Sequence, residues 1–313
     1  MPKAPPVYNG QFVLRPEQDT SYVHFENAAA HQFQASPGSV PPVNAWWLAE
    51  AALASYWDPA AAIPLFNAAG FEAEFVEEGG TECYVAWQST WLLVAFRGTE
   101  GDRWDDILTD VRFAQVPWLA GHVHAGFADA VHAIQPELTG LLDRVAPGRT
   151  VWFCGHSLGA ALATLAADLY GSTHGVCTFG SPRVGDRAFA NAFGEKFGDR
   201  SCRYVNNHDV VTHVPPPVLP PWYFRHVRSR RFIDEAGQIS SGRPALAHLF
   251  SDLVGHPRTL REMVSGIESG VLAHPPTFFL DHMPKAYAIW TWNDYEAQRT
   301  FLDEATLTGG EPG

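Results

Sequence analysis

Between Arg149 and Tyr170 the pattern of apolar and polar positions changes its period. RTVWFC, residues 149–154, is a short run of β-branched and aromatic side chains, the signature of a buried strand. Leu158 to Tyr170, LGAALATLAADLY, is rich in Ala and Leu at helical spacing. The segment between them, Gly155-His156-Ser157-Leu158-Gly159, therefore reads as a strand-to-helix turn with a serine at its tip. Further along, Gly175 to Phe179 and Arg203 to Asn206 read as strands, with the helical pattern Arg187 to Phe197 between them. Strand, helix, strand, helix, strand implies an α/β fold with a mostly parallel sheet.

Upstream, AWWLAEAALASY (45–56) places Trp46, Leu48 or Ala49, Ala52 and Leu53 on one helical face, and Pro59 is expected to end the element soon after. Phe71 to Val76, Cys83 to Trp87 and Trp91 to Phe96 read as strands, the last two joined by a polar turn, so an antiparallel edge leads into the sheet. Downstream, a strand pair is expected around Tyr223 to Ile233, an amphipathic helix near Ala245 to Ile267, and a last helix from near Met283. Residues 1–40, rich in Pro, Gln and Asn without periodicity, are expected as an extended N-terminal arm. Residues 41–305 form the domain, and 306–313 a disordered tail.

Length and charge narrow the function classes. A chain of 313 residues with 46% hydrophobic residues can bury a large core. A formal net charge of -13, with no basic patch, argues against a nucleic-acid partner. No run is long and apolar enough for a membrane span, so lipid contact would be peripheral. MPKAPPVYNGQF has no apolar signal core, which leaves the compartment open. The four cysteines form no CxxC pair or zinc spacing; Cys83, Cys154 and Cys177 sit in apolar runs and read as small buried thiols.

Gly155-x-Ser157-x-Gly159 carries the chemistry. A serine at such a turn is held in a strained conformation that lifts its hydroxyl clear of the sheet, and the flanking glycines remove side chains that would collide. The helix that begins here directs its N-terminal N–H groups toward any anion formed beside the serine. A serine hydroxyl needs a histidine to take its proton and a carboxylate to orient that histidine. For this sheet type both follow the serine in the chain. Asp209, after the strand RYVNN, lies on the sheet rim where ligands bind; Asp186, after TFGSPRVG, is the competing carboxylate. Of the later histidines, His213 is too near Asp209 in one loop. His226 reads as a strand residue, and His248 and His256 fall in or beside a helix. His274 and His282 remain, with His282 preferred for its loop position before the last helix.

AWWLAEAALASY, LVAFRGTE, VHAGF, GHSLGAALATLAA, TFGSPRVGD, RYVNNHDVVTHVPP and DHMPKAY occur in this order from Ala45 to Tyr287. As a set they resemble the fungal-type class 3 lipase family of α/β-hydrolases. The resemblance implies Ser157 as nucleophile, Asp209 as acid and His282 as base. It also implies an oxyanion hole from Thr99, in FRGT, and the N–H of Leu158, which acyl transfer requires on physical grounds. Family members often carry a helical lid after the oxyanion loop. Here GDRWDDILTDVRF puts Trp104, Ile107, Leu108 and Val111 on one face, opposite Asp105, Asp106, Thr109 and Asp110. The chain departs from the secreted fungal enzymes in its unmarked N-terminus, its lack of an evident disulfide pattern and the VPPPVLPPW insertion.

The expected activity is serine-dependent hydrolysis of glyceride esters through an acyl-enzyme, with no cofactor or metal needed. Phospholipase A1 and a soluble aromatic-ester esterase are the alternatives within enzymes, and a lipase-like scaffold without turnover is the alternative outside them.

Overall fold

A computed structural model describes residues 1–98, 114–227, 230–241, 266–267, 269 and 275–307. An eight-stranded sheet organises them, in the order β1 (Glu72–Glu78), β2 (Thr81–Trp87), β3 (Trp91–Phe96), β6 (Thr150–His156), β7 (Thr173–Phe179), β8 (Ser201–Asn206), β11 (Arg230–Ile233) and β12 (Ile239–Ser240). β3, β6, β7, β8 and β11 run parallel, and the antiparallel pairs β1–β2–β3 and β11–β12 flank them. Two small ribbons lie outside it, β4 (Gln115–Pro117) with β5 (His122–His124), and β9 (Val218–Leu219) with β10 (Trp222–Tyr223).

The strands are apolar on both faces because both are covered. Leu93, Ala95, Trp152, Cys154, Cys177, Phe179, Cys202 and Tyr204 pack toward α2 (Pro42–Ala54) and α8 (Pro284–Leu307). Leu92, Val94, Phe96, Val151, Phe153 and Val176 pack toward α4 (Ala125–Val145), α5 (Leu158–Tyr170) and α6 (Arg187–Phe197). All four cysteines are buried free thiols; Cys154, Cys177 and Cys202 lie in register across β6, β7 and β8, and the last two bring their Sγ atoms to 2.9 Å.

Local sequence explains where the elements differ from expectation. Pro59 opens a helix, α3 (Pro59–Ala68), rather than ending a region, because a proline at the first helical position lacks only an N–H that would be unpaired anyway. α4 was masked in the sequence by Gly126, Pro136 and Gly140, yet Phe127, Val131, Ile134, Leu138 and Leu142 keep one face buried. α2 is buried all round from Val43 to Ala54 because the N-terminal stretch covers its outer side. That stretch contains α1 (Gly10–Leu14), and Val13, Leu14 and Phe25 enter the core. There the buried carboxylate of Glu50 accepts hydrogen bonds from Tyr22 Oη (2.6 Å), Phe25 N (3.1 Å) and Trp46 Nε1 (3.0 Å). Thr99, the segment expected as a lid, His248, His256, His274, nearly all of the 245–267 helix and the last residues of the tail lie outside the described residues.

Candidate active site

β6 runs into α5 through Ser157, whose backbone sits at φ 58° and ψ -130°, a region that an L-residue occupies only at a cost of about 1–3 kcal/mol. Surrounding packing holds it there. Its N–H donates to Phe179 O of β7 (3.0 Å), and its carbonyl accepts from Ala160 N (3.0 Å). The glycines are required by contact. A Cβ at Gly155 would stand 2.3 Å from Gly159 O, and one at Gly159 would stand 2.2 Å from Phe96 O at the end of β3. Ser157 Oγ is buried and makes no hydrogen bond among the described residues. Leu158 is the first residue of α5, so the helix presents N–H groups beside the serine that have no carbonyl one turn earlier.

Asp209 follows β8 and caps the short 3₁₀ turn Val210–His213, accepting from Val211 N at 2.9 Å. His282 lies between α7 (Thr277–Leu280) and α8. The structure brings these two together: His282 Nδ1 lies 2.7 Å from each carboxylate oxygen of Asp209, and both side chains are fully buried. A carboxylate on Nδ1 fixes the tautomer that leaves Nε2 to accept a proton. The competing Asp186 does other work. It caps α6, accepting from Phe189 N at 2.9 Å, and takes His122 N at 3.0 Å.

Four residues that the sequence gave no separate reason to single out complete the setting. Tyr287, one turn into α8, donates its hydroxyl to Asp209 Oδ2 while accepting from Asn206 N (3.0 Å). Burial, reinforced by the Asp209 charge, pushes its pKa well up, so it stays a donor. Gly180, at φ 58°, lies against the pair, and a Cβ there would meet Asp209 Oδ2 at 2.7 Å and His282 Cε1 at 2.9 Å. Tyr56 holds His156, with Oη 2.8 Å from Nδ1, and the His156 ring lies 4.3 Å from that of His282. Burial, and then the proximity of the His282 ring, pushes the His156 pKa well down, so it stays neutral. Asp281 ties the loop bearing His282 to the loop bearing Asp209, since its Oδ2 accepts from His208 N (3.1 Å) and Asn207 Nδ2 (3.1 Å). Burial pushes its pKa up to about 7, against the pull of those donors and with the help of the Asp209 charge. Tyr287 and Asp281 stand inside the segment that names His282, and that proximity was the signal available.

Among the described residues no group of three or more His, Cys, Asp or Glu side chains is placed to hold a metal ion. No described helix is long and apolar enough to cross a membrane.

Comparison with known proteins converges on one group. The family described as Lipase (class 3) matches residues 93–219. A lipase of Rhizomucor miehei is 39% identical over 137 residues, covering 40% of this chain and 38% of that protein. Phospholipase A1-II 4 of Oryza sativa subsp. japonica is 42% identical over 93 residues, covering 26% of this chain and 24% of that protein. The chain thus matches well under half the length of these relatives. Among solved structures, the R. miehei lipase propeptide complex superposes with a TM-score of 0.52 at 25% identity, covering 62% of this chain and 68% of that one. A fungal lipase–inhibitor complex gives 0.53 at 25% identity, covering 76% and 93%. With the sheet order above, these matches give the chain an α/β-hydrolase fold.

Proposed function

We propose that this protein, whose residues 93–219 match the class 3 lipase family, is a serine lipase that hydrolyses glyceride esters through an acyl-enzyme. The observation that carries the reading is the buried His282–Asp209 pair, with the His282 ring 4.3 Å from that of His156, the residue just before the strained serine at the start of a helix. Ser157 Oγ attacks the acyl carbon and His282 Nε2 takes its proton. The Leu158 N–H at the head of α5 stabilises the oxyanion, and Thr99 is its proposed second donor. His282 then returns the proton to the departing alcohol, leaving the acyl group on Ser157. Water, deprotonated by the same nitrogen, attacks the acyl carbon and releases the fatty acid. Asp209 orients the ring and balances its transient charge, and Tyr287 holds Asp209.

Ser157 has no exposed surface, so an ester must displace part of its cover before attack. This supports the proposed role of Trp104, Ile107, Leu108 and Val111 as the apolar face of a lid that turns toward lipid. Phospholipase A1 activity is the second reading, favoured by the similarity to the rice protein of that name.

Hydrolysis of a p-nitrophenyl ester series, dispersed triacylglycerol and phosphatidylcholine vesicles, with Ser157→Ala in parallel, tests both. Loss of the nucleophile should lower kcat on the order of a millionfold. Turnover that jumps when triacylglycerol passes its solubility limit supports the lipase. Preference for the vesicles moves the assignment to phospholipase, and absence of Ser157-dependent turnover on every ester overturns both.

A further inference from the structure

Behind the loop that carries Asp209 lies a group of cations that ester hydrolysis does not use. Arg203 stands in the middle of β8 and is only 6% exposed. Its Nε is buried and donates no hydrogen bond, and no carboxylate among the described residues lies within ion-pairing distance of it. Sheet register puts Arg230 of β11 beside it. Above it, Arg183 donates to the carbonyls of His213 and Pro215, and His226 Nε2 lies 2.8 Å from Thr212 O. These two side chains therefore hold one stretch, residues 212–215. With Nε2–H donating to that carbonyl, Nδ1 of the neutral His226 ring is an acceptor buried without a partner, so this side chain holds the segment but adds no positive charge.

Positive charge prevails throughout this region. Arg203 feels Arg230 and Arg183; His226 feels Arg203, Arg183 and His213; Arg183 feels Arg225. The field of Asp209 reaches Arg203, but its oxygens already serve His282, Tyr287 and Val211 N. Burial and the neighbouring arginines pull the Arg203 pKa down to about 9, which measures how poorly its charge is compensated. An isolated buried guanidinium is costly, and a buried cation is ordinarily paired with an anion.

We infer that Arg203, with Arg230 beside it in the sheet, forms a binding site for a small monovalent inorganic anion of the chloride class. The anion would accept from Arg203 Nε and neutralise the cation cluster. A small ion suits the place, since Arg203 Nε is buried away from any open surface. The site is independent of the ester-hydrolase reading, and its tests need no substrate.

The first test is the melting temperature of the whole chain in sodium chloride and in sodium gluconate at matched ionic strength. A saturable rise of a few degrees in chloride and not in gluconate is expected, as for any ligand that binds only the folded state. Chloride-35 NMR should show excess linewidth from bound ion, and Arg203→Met should abolish both effects. Identical melting curves in the two salts, or linewidth that survives Arg203→Met, would overturn the site. Should the variant not fold, bromide-soaked crystals of the unaltered protein decide: an anomalous peak beside Arg203 Nε supports the site, and a water there refutes it.

Discussion

Asp281 shows how one side chain couples architecture to pH. Its carboxyl titrates near 7 in the folded protein, against about 4 when exposed, so the folded state retains a proton that the unfolded chain has lost. The stability that this group contributes is therefore present below about pH 4 and is lost as pH rises through 7. Asp281→Asn stays neutral across that window. The melting-temperature difference, variant minus parent, is expected to grow from pH 4 to pH 7 and then level off; parallel curves would sink the assignment. Gly180→Ala acts on geometry instead. Its Cβ has no room beside Asp209 and His282, so kcat should fall about 100-fold, as small misplacements of a catalytic pair do. The strain at its φ of 58° should also lower the melting temperature, by the few degrees that correspond to about 1–3 kcal/mol. Ser157, Asp209 and His282 were legible as candidates in the sequence because each is a required residue type at a marked place: an elbow, a strand end, a loop before a helix. Gly180, Tyr56 and Asp281 were not, since their roles depend on which loops meet across the sheet, and no local pattern encodes that meeting.

At the scale of elements, the same substitution should have opposite effects at two helical glycines. Gly159, in the first turn of α5, lies against the backbone of Phe96 and Arg97, which cannot yield without moving β3. Gly159→Ala should destabilise by about 1–3 kcal/mol, the range for overpacking a core. Gly140, in the middle of α4, has nothing within 4 Å of where its Cβ would stand. Gly140→Ala should stabilise by about 0.5–1 kcal/mol through helix propensity alone. Thermal or urea melts of the two variants check both signs. The β strands and α6 were readable because short apolar runs between glycines and polar turns suit a sheet covered on both faces. α4 was harder to see, since Pro136 and two glycines broke the pattern while its apolar stripe kept the helix in place. The full burial of α2 could not be read from its own residues, because its cover comes from the N-terminal stretch, with Glu50 as the anchor.

Across the whole molecule, the two faces of one sheet carry two cores, and the proposed catalytic residues Ser157 and Asp209 follow the ends of two of its parallel strands. This division leaves a built-in set of probes. Cys83 lies in β2 toward one edge, Cys154 in β6, Cys177 in β7 and Cys202 in β8, all buried. Burial pushes the thiols of Cys83, Cys154 and Cys177 up, away from the reactive thiolate. A thiol-alkylating reagent added to the native protein should therefore mark nothing until a strand opens. The order and pace at which the four sites acquire mass would time the loosening of the sheet from edge to centre. The protein thus carries its own stopwatch for unfolding, with no label to be engineered.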